Sequence, residues 1–512
     1  MSMLRPPSAE DGVVAGASEL IGGPLGRYAS GRLWSWATAI RLLLIATALV
    51  CGASYFRTSV CAVHYPAYSS DFQYTRLCYS DVYVLYSAEG LGTGSNGTGL
   101  DVPYADHPVE YPPVMGYVML GAAEITHLVY RHPVTLAAGE NDPRPQLFFD
   151  ITALLLGLCA LLITWSVARL AGAQRVWDAA MVALSPVLLM HAFTNWDLLA
   201  VAFTMLGLLA WARRRPALAG VLLAFGISTK LFPLLVLVAI AMCCVRAGRY
   251  RALAITTATT AVSTVLIYLP AVLISRDFTV QAGCPDAHSI AGWQFFTYLS
   301  QTRGADWGSF WLLVQHIVTG LSPGTTPLDS GLTCGTPAAL NVVASLSILL
   351  CGAAVFVLVM RAPRRPRVTQ VAFLLLAAFV VFNKVDSPQY ALWLLPFAVL
   401  ARPRWGAILA WQASEVILGA ANLYQLIAEE HSGFGLPMWT YLVFLGARDV
   451  VLAVLVGLVV REMLHPWRDP VRAGGVDDPA GGVLDETCGW DGSQRRTPSL
   501  SFGAGGTAYS DC

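Results

Sequence analysis

Apolar runs alternate with short polar stretches along almost the whole chain. They fall near 36–56, 112–130, 147–168, 178–193, 198–211, 217–229, 231–245, 253–274, 338–360, 370–384, 389–401, 407–427 and 437–460, thirteen in all. A helix needs about 20 apolar residues to cross a hydrocarbon core of roughly 30 Å, or fewer where neighbours shield it. The pattern therefore predicts an all-α polytopic membrane protein. The first run begins near residue 36 and is long enough to span, so it reads as a signal anchor rather than a cleavable leader. The runs at 217–229 and 231–245 are short. Their junction, Ser228-Thr229-Lys230-Leu231-Phe232-Pro233, is expected below the membrane surface, where proline breaks the helix and frees backbone groups. The same reasoning applies to the Lys384 to Gln389 tip of the pair 370–384 and 389–401.

Charge sets the orientation. Short cytoplasmic loops concentrate arginine and lysine, and Arg27, Arg32 and Arg41 put the N-terminus inside. The clusters Arg169/Arg175, Arg213/Arg214/Arg215, Arg246/Arg249/Arg251, Arg361/Arg364/Arg365/Arg367 and Arg402/Arg404 mark successive inner loops, and Arg461 and Arg468 begin an inner tail. Alternation between these markers requires an even number of crossings. The run at 112–130 carries Glu124 and His127 and opens on two prolines, so it is expected to be re-entrant or to lie at the interface, leaving twelve spans. The resulting organisation is a cytoplasmic segment 1–35, a transmembrane domain 36–462 with long outer loops at about 57–146 and 275–337, and a tail 463–512. That tail is rich in Gly, Pro, Asp and Ser and is expected to be disordered. Within the second outer loop, Gly292 to Tyr298 is expected to form a short interfacial helix.

Composition agrees with this class and excludes others. The 512 residues are 56% hydrophobic and 12% charged, with mean hydropathy +0.58, whereas soluble domains carry about 25% charged residues. A formal net charge of zero gives no electrostatic support for a nucleic-acid partner. The cysteines show no C-x-x-C spacing, and His64, His107 and His191 are isolated, so no metal-ligand constellation and no cofactor is read. Cys61, Cys78, Cys284 and Cys334 fall in outer segments, where disulfides are chemically permitted; their pairing is left open. Only two basic residues are lysines, Lys230 and Lys384.

Ionisable groups near membrane depth are costly and mark function. With the topology above, Asp71, Asp81, Glu110, Asp197, Lys230, Lys384 and Asp386 all lie on the outer side, so one cavity opening outward is expected. Several have plain structural alternatives: the lysines could snorkel, Asp197 could cap the following helix, and Asp71 could cap or turn a loop.

A set of motifs then carries a likeness. Cys78-Tyr79-Ser80-Asp81 with Leu85-Tyr86, Pro103-Tyr104, Val109-Glu110-Tyr111-Pro112-Pro113, Asn195-Trp196-Asp197, Lys230-Leu231-Phe232-Pro233, and Ser387-Pro388-Gln389-Tyr390 with Trp393-Leu394-Leu395-Pro396 follow one another across residues 35–460. In order and spacing they resemble actinobacterial members of glycosyltransferase family 87, relatives of polyprenyl-phosphate-mannose-dependent mannosyltransferases. The resemblance implies a GT-C fold, a polyprenyl-phosphate sugar donor, a lipid or glycan acceptor, and an acid of the first outer loop as catalytic base. Asp81 matches that acid best, with Asp71 as the alternative. The mechanism expected is a single inverting displacement in which Asp81 takes the acceptor proton and Lys230, aided by Lys384, Gln389 and Tyr390, stabilises the departing phosphate. Glu110, Tyr111, Asn195 and Asp197 would bind the substrates, Glu110 and Asp197 by orienting sugar hydroxyls or the lysines. Short paired helices with polar tips also suit a transporter or flippase of a lipid-linked intermediate.

Overall fold

The computed structural model describes residues 11–21, 38–64, 70–92, 100–130, 142–280, 288–319, 338–430, 434–474 and 477–485. Each of the thirteen apolar runs is helical. Five helices are long and apolar enough to cross a membrane: Ala39–Val63, Arg144–Ala171, Tyr250–Ile274, Ala338–Arg361 and Met438–Leu464. Between them lie the shorter apolar helices Val176–His191, Asp197–Ala212, Pro216–Ile227, Pro233–Ala247, Val368–Phe382 and Pro388–Ala401, together with Trp405–Glu430. The short helices make the interior, where Trp196, Trp211, Phe232, Phe373 and Trp411 are fully buried. Tyr250–Ile274 and Ala338–Arg361 flank them and present Val265, Leu266, Leu273, Leu349 and Leu350 outward. An apolar exterior over a polar-containing interior is the arrangement lipid demands.

The arginine clusters converge on one end of the bundle. Arg246 donates to the carbonyl of Ala362 at 2.6 Å, and Arg402 pairs with Glu462 at 3.0 Å. At the same end, the segment expected to be disordered from 463 onward is ordered over its described residues, 463–474 and 477–485. It forms the short turns Pro466–Arg468, Arg472–Gly474 and Gly482–Asp485. The reason is specific bonding added to the burial of Val471, Ala480 and Leu484 against the bundle. Buried Arg367 takes both carboxylate oxygens of Asp469, at 2.8 and 3.0 Å, and donates to the carbonyls of Leu400 and Ala401. Arg175 donates to the carbonyl of Pro470 and Arg365 to that of Leu484. A tail poor in apolar residues is thus held by bidentate and charge-assisted bonds. Residues 486–512 lie outside the described residues, as does most of the N-terminal segment, of which Gly12–Ile21 is helical.

The helix Pro113–Val129 is bonded to neighbours along its length. Its first turn bonds Ser228, through Val114 N–H to the carbonyl at 2.9 Å. Its middle bonds the end of helix 250–274, through Tyr117 to the Ile267 carbonyl, and its last turn bonds the Leu91 carbonyl through His127. In the second long loop, Gly292–Gln294 forms a 3-10 turn running into the helix Phe295–Thr302, beside a two-stranded antiparallel ribbon of Asp277–Val280 and His288–Ala291.

Candidate active site

Asp81 begins a short helix because the residue before it is a good cap. Ser80 accepts from the N–H of Val82 at 3.1 Å, and its own N–H is taken by the Tyr83 hydroxyl. The start of that helix is fastened to the turn ahead of helix 197–212. Ser80 Oγ donates to the Phe193 carbonyl at 2.6 Å, and Asp81 N–H donates to the Thr194 carbonyl at 2.8 Å. A disulfide between Cys61 and Cys78 ties the same stretch to the end of helix 39–64. Three constraints within four residues therefore fix the Asp81 carboxylate, as a catalytic group requires.

The carboxylate is then held by two donors. The Tyr79 hydroxyl reaches Oδ1 at 2.6 Å and the Asn195 amide reaches Oδ2 at 2.7 Å. Burial pushes the Asp81 pKa above the usual aspartate value; the two hydrogen bonds and Lys230 oppose the rise, and Glu110 adds to it. The group is therefore a stronger base than an exposed aspartate while remaining bonded in its charged form.

From Asp81 a continuous polar chain runs through most of the residues singled out by sequence. Asn195 gives its second amide hydrogen to the Tyr111 hydroxyl at 2.9 Å. The Lys230 ammonium stands 4.7 Å from the centroid of the Tyr111 ring and 3.6 Å from Asp197 Oδ1. Asp197 also accepts from the indole of Trp393 at 2.7 Å, and Trp393 stacks on Tyr390. Asp197 is the first residue of its helix, but its carboxylate points at Lys230 and Trp393 rather than at its own backbone. Lys230 therefore lies against an acid and an aromatic face.

Lys384 sits elsewhere. Its ammonium donates to the carbonyls of Gln301 and Arg303 at 3.1 and 2.6 Å, and burial, with help from Arg303, pulls its pKa down to about 8. Arg303 in turn pairs with Glu110 at 3.1 Å, so Lys384 and Glu110 together hold the second long loop against the first. Asp71 belongs to the helix Ser70–Thr75, and its side chain lies outside the described residues.

A cavity of about 350 Å³ opens beside Asp81. Arg57, Asp81, His191, Asp306, Asp386 and Gln389 contribute its polar wall; neither lysine is among the lining residues. Asp386 is bonded to Arg448 at 2.7 Å, and burial, opposed by that arginine, moves its pKa up to about 8. Arg57, Asp306 and Arg448 were not singled out by sequence reasoning, nor was His191 beyond its being an isolated histidine. Arg448 and its neighbour Asp449 carried a usable signal, a charged pair inside an apolar run. Asp306 lies in a long loop with no periodicity and carried none. Among the described residues no group of three or more His, Cys, Asp or Glu side chains is arranged to hold a metal.

Fold and site together define an all-α polytopic membrane protein with an acid-lined cavity at the end of its bundle remote from the arginine turns. Residues 143–383, just under half of the chain, match the model of glycosyltransferase family 87, a match that indicates glycosyl transfer as the activity class. The matched segment contains Asn195, Asp197, Lys230 and Asp306, while Asp81 precedes it. No curated protein matches the chain.

Proposed function

We propose that the chain transfers a sugar, mannose in the reading the motifs favour, from a polyprenyl-phosphate donor to a hydroxyl of a lipid or glycan acceptor on the extracytoplasmic face. The observation that carries this reading is Asp81: buried, of raised basicity, clamped by Tyr79 and Asn195, and facing a cavity large enough for sugar rings. In the step envisaged, the acceptor oxygen bonds to the anomeric carbon as the bond from that carbon to the phosphate oxygen breaks. The electron pair leaves on the phosphate, and the hydroxyl proton passes to the Asp81 carboxylate. One displacement inverts the anomeric centre. Lys230, bonded to Asp197 and stacked over Tyr111, would hold the Tyr111 and Asn195 arm of the clamp in place; Lys384 and Glu110 would hold the loop that covers the cavity.

Two features support the outward orientation. The arginine turns gather at the opposite end, as the bias toward cytoplasmic arginine requires. The Cys61–Cys78 disulfide sits three residues from Asp81, and such bonds persist in oxidising compartments. The test is transfer from radiolabelled polyprenyl-phosphate-mannose in membranes bearing wild type or Asp81→Asn. Loss of a positioned general base lowers rates by about 10²- to 10⁴-fold, with the protein still present at its normal level. Undiminished transfer by the variant would remove Asp81 from the mechanism.

A further inference from the structure

Arg448 stands inside the spanning helix Met438–Leu464 and is only 2% exposed, yet it is not among the residues lining the cavity and has no part in the transfer step. A charged side chain at that depth is costly unless its partners are equally fixed. One terminal nitrogen of Arg448 has two such partners: it donates to Asp386 Oδ2 at 2.7 Å and to the Gly308 carbonyl at 2.8 Å. Its other neighbours are the carboxylates of Glu415 at 3.9 Å and Asp449 at 3.1 Å, and Glu415 is itself held by the Trp411 indole. Both segments that Arg448 bridges belong to the cavity wall. The tip joining helices 368–382 and 388–401 contributes Asp386 and Gln389, and the second long loop contributes Asp306 and Trp307, next to Gly308. Tip and loop are in direct contact. Asp306 N–H donates to the Lys384 carbonyl at 2.8 Å and the Ser309 hydroxyl to the Asn383 carbonyl at 3.2 Å, and a Cβ added at Gly308 would come within 2.2 Å of the Asp386 carbonyl oxygen. Two turns before Arg448, on the same face of its helix, Tyr441 donates to the Trp307 carbonyl. This part of the wall is thus one piece, fastened to helix 438–464 at two points, and none of these bonds involves Asp81 or the groups that clamp it.

Resting on the transfer reaction proposed above, we propose that Arg448 is a positioning residue for substrate: through Asp386 and the Gly308 carbonyl it holds the wall formed by Asp306, Trp307, Asp386 and Gln389 at its working distance from Asp81. The wall sets how substrate seats, whereas the basicity of Asp81 is set by its own clamp of Tyr79 and Asn195. In the test, purified full-length protein is supplied with radiolabelled polyprenyl-phosphate-mannose and an extract of membrane lipids as acceptor, each varied at a fixed level of the other. Wild type, Arg448→Met and Arg448→Lys are compared.

The expected result is that Arg448→Met raises the apparent KM for donor, acceptor or both at least about tenfold, within the range that misplacing bound substrate by an ångström costs. The kcat and the acidic limb of the pH–rate profile should stay as in wild type. Arg448→Lys, whose ammonium has donors enough for both acceptors, should recover most of the loss. If Arg448→Met fails to accumulate because Asp386 is left buried and unpaired, Arg448→Met combined with Asp386→Asn removes the stranded charge and should show the same rise. KM values equal to those of wild type, a loss confined to kcat with the acidic limb displaced, or a loss that Arg448→Lys does not recover would each overturn the assignment. Absence of transfer by folded wild type would instead overturn the reaction itself, and the inference with it.

Discussion

Asp81 carries opposing influences that can be separated by experiment. Burial raises its pKa, while Tyr79 and Asn195 bond the carboxylate form and lower it. If transfer needs the carboxylate, activity falls as pH drops through that pKa, and the acidic limb of kcat/KM lies above the ordinary aspartate value of about 3.9. Tyr79→Phe deletes one of the two bonds to the charged form, so the pKa rises further and the limb moves to higher pH. A pH–rate profile of the variant that coincides with that of wild type would mean that another group sets the limb. The residue scale is also where sequence reasoning was least complete. Asp81, Asn195, Asp197 and Lys230 were legible because each stands out in an apolar or motif context. Arg57 was not, because it follows the first apolar run and reads there as the opening of a loop. Only the fold carries helix 39–64 on to His64 and brings Arg57 to the cavity.

At the scale of elements, each of the thirteen apolar runs has its apolar helix among the described residues, because hydrophobic length is a property of the local sequence and lipid rewards it directly. The short helices were legible for the same reason, and so was the break between two of them at Ser228 to Phe232. What could not be read was which polar residues meet across elements. The fastening of Ser80 and Asp81 to Phe193 and Thr194 joins positions more than a hundred residues apart. The disulfide is a case between these. Four outer cysteines were legible as permitted partners, but the choice of Cys61 with Cys78 depends on where helix 39–64 ends; Cys284 and Cys334 lie outside the described residues. The bond spans a sequence separation of 17, and closing a loop of that size stabilises by about 3 kcal/mol in the chain-entropy picture. Cys61→Ser, Cys78→Ser or reductant should therefore lower the melting temperature and weaken transfer together, since the bond ends three residues before the base. Finding both thiols free to alkylation in unreduced wild-type protein would refute the link.

Over the whole molecule, the chain separates its charges by end. Arginines of successive turns gather at one end and bond the folded tail through Asp469 and the Pro470 and Leu484 carbonyls. The acids of the candidate site, Asp81, Asp306 and Asp386, and both lysines gather at the other, around the cavity of Asp81 and under the loop held by Lys384 and Glu110. Arginine spacing made this polarity legible, whereas the order of the tail was hidden by a Gly- and Pro-rich composition that ordinarily means disorder. The account depends on the acid-bearing end facing away from the cytosol. Single cysteines in place of Arg276, exposed beside the cavity end, and of Arg214, in an arginine turn, can be probed in intact cells with a membrane-impermeant thiol reagent, using protein whose free native cysteines have been replaced. The account predicts that position 276 is labelled without permeabilisation and position 214 only after it; the reverse pattern would contradict it.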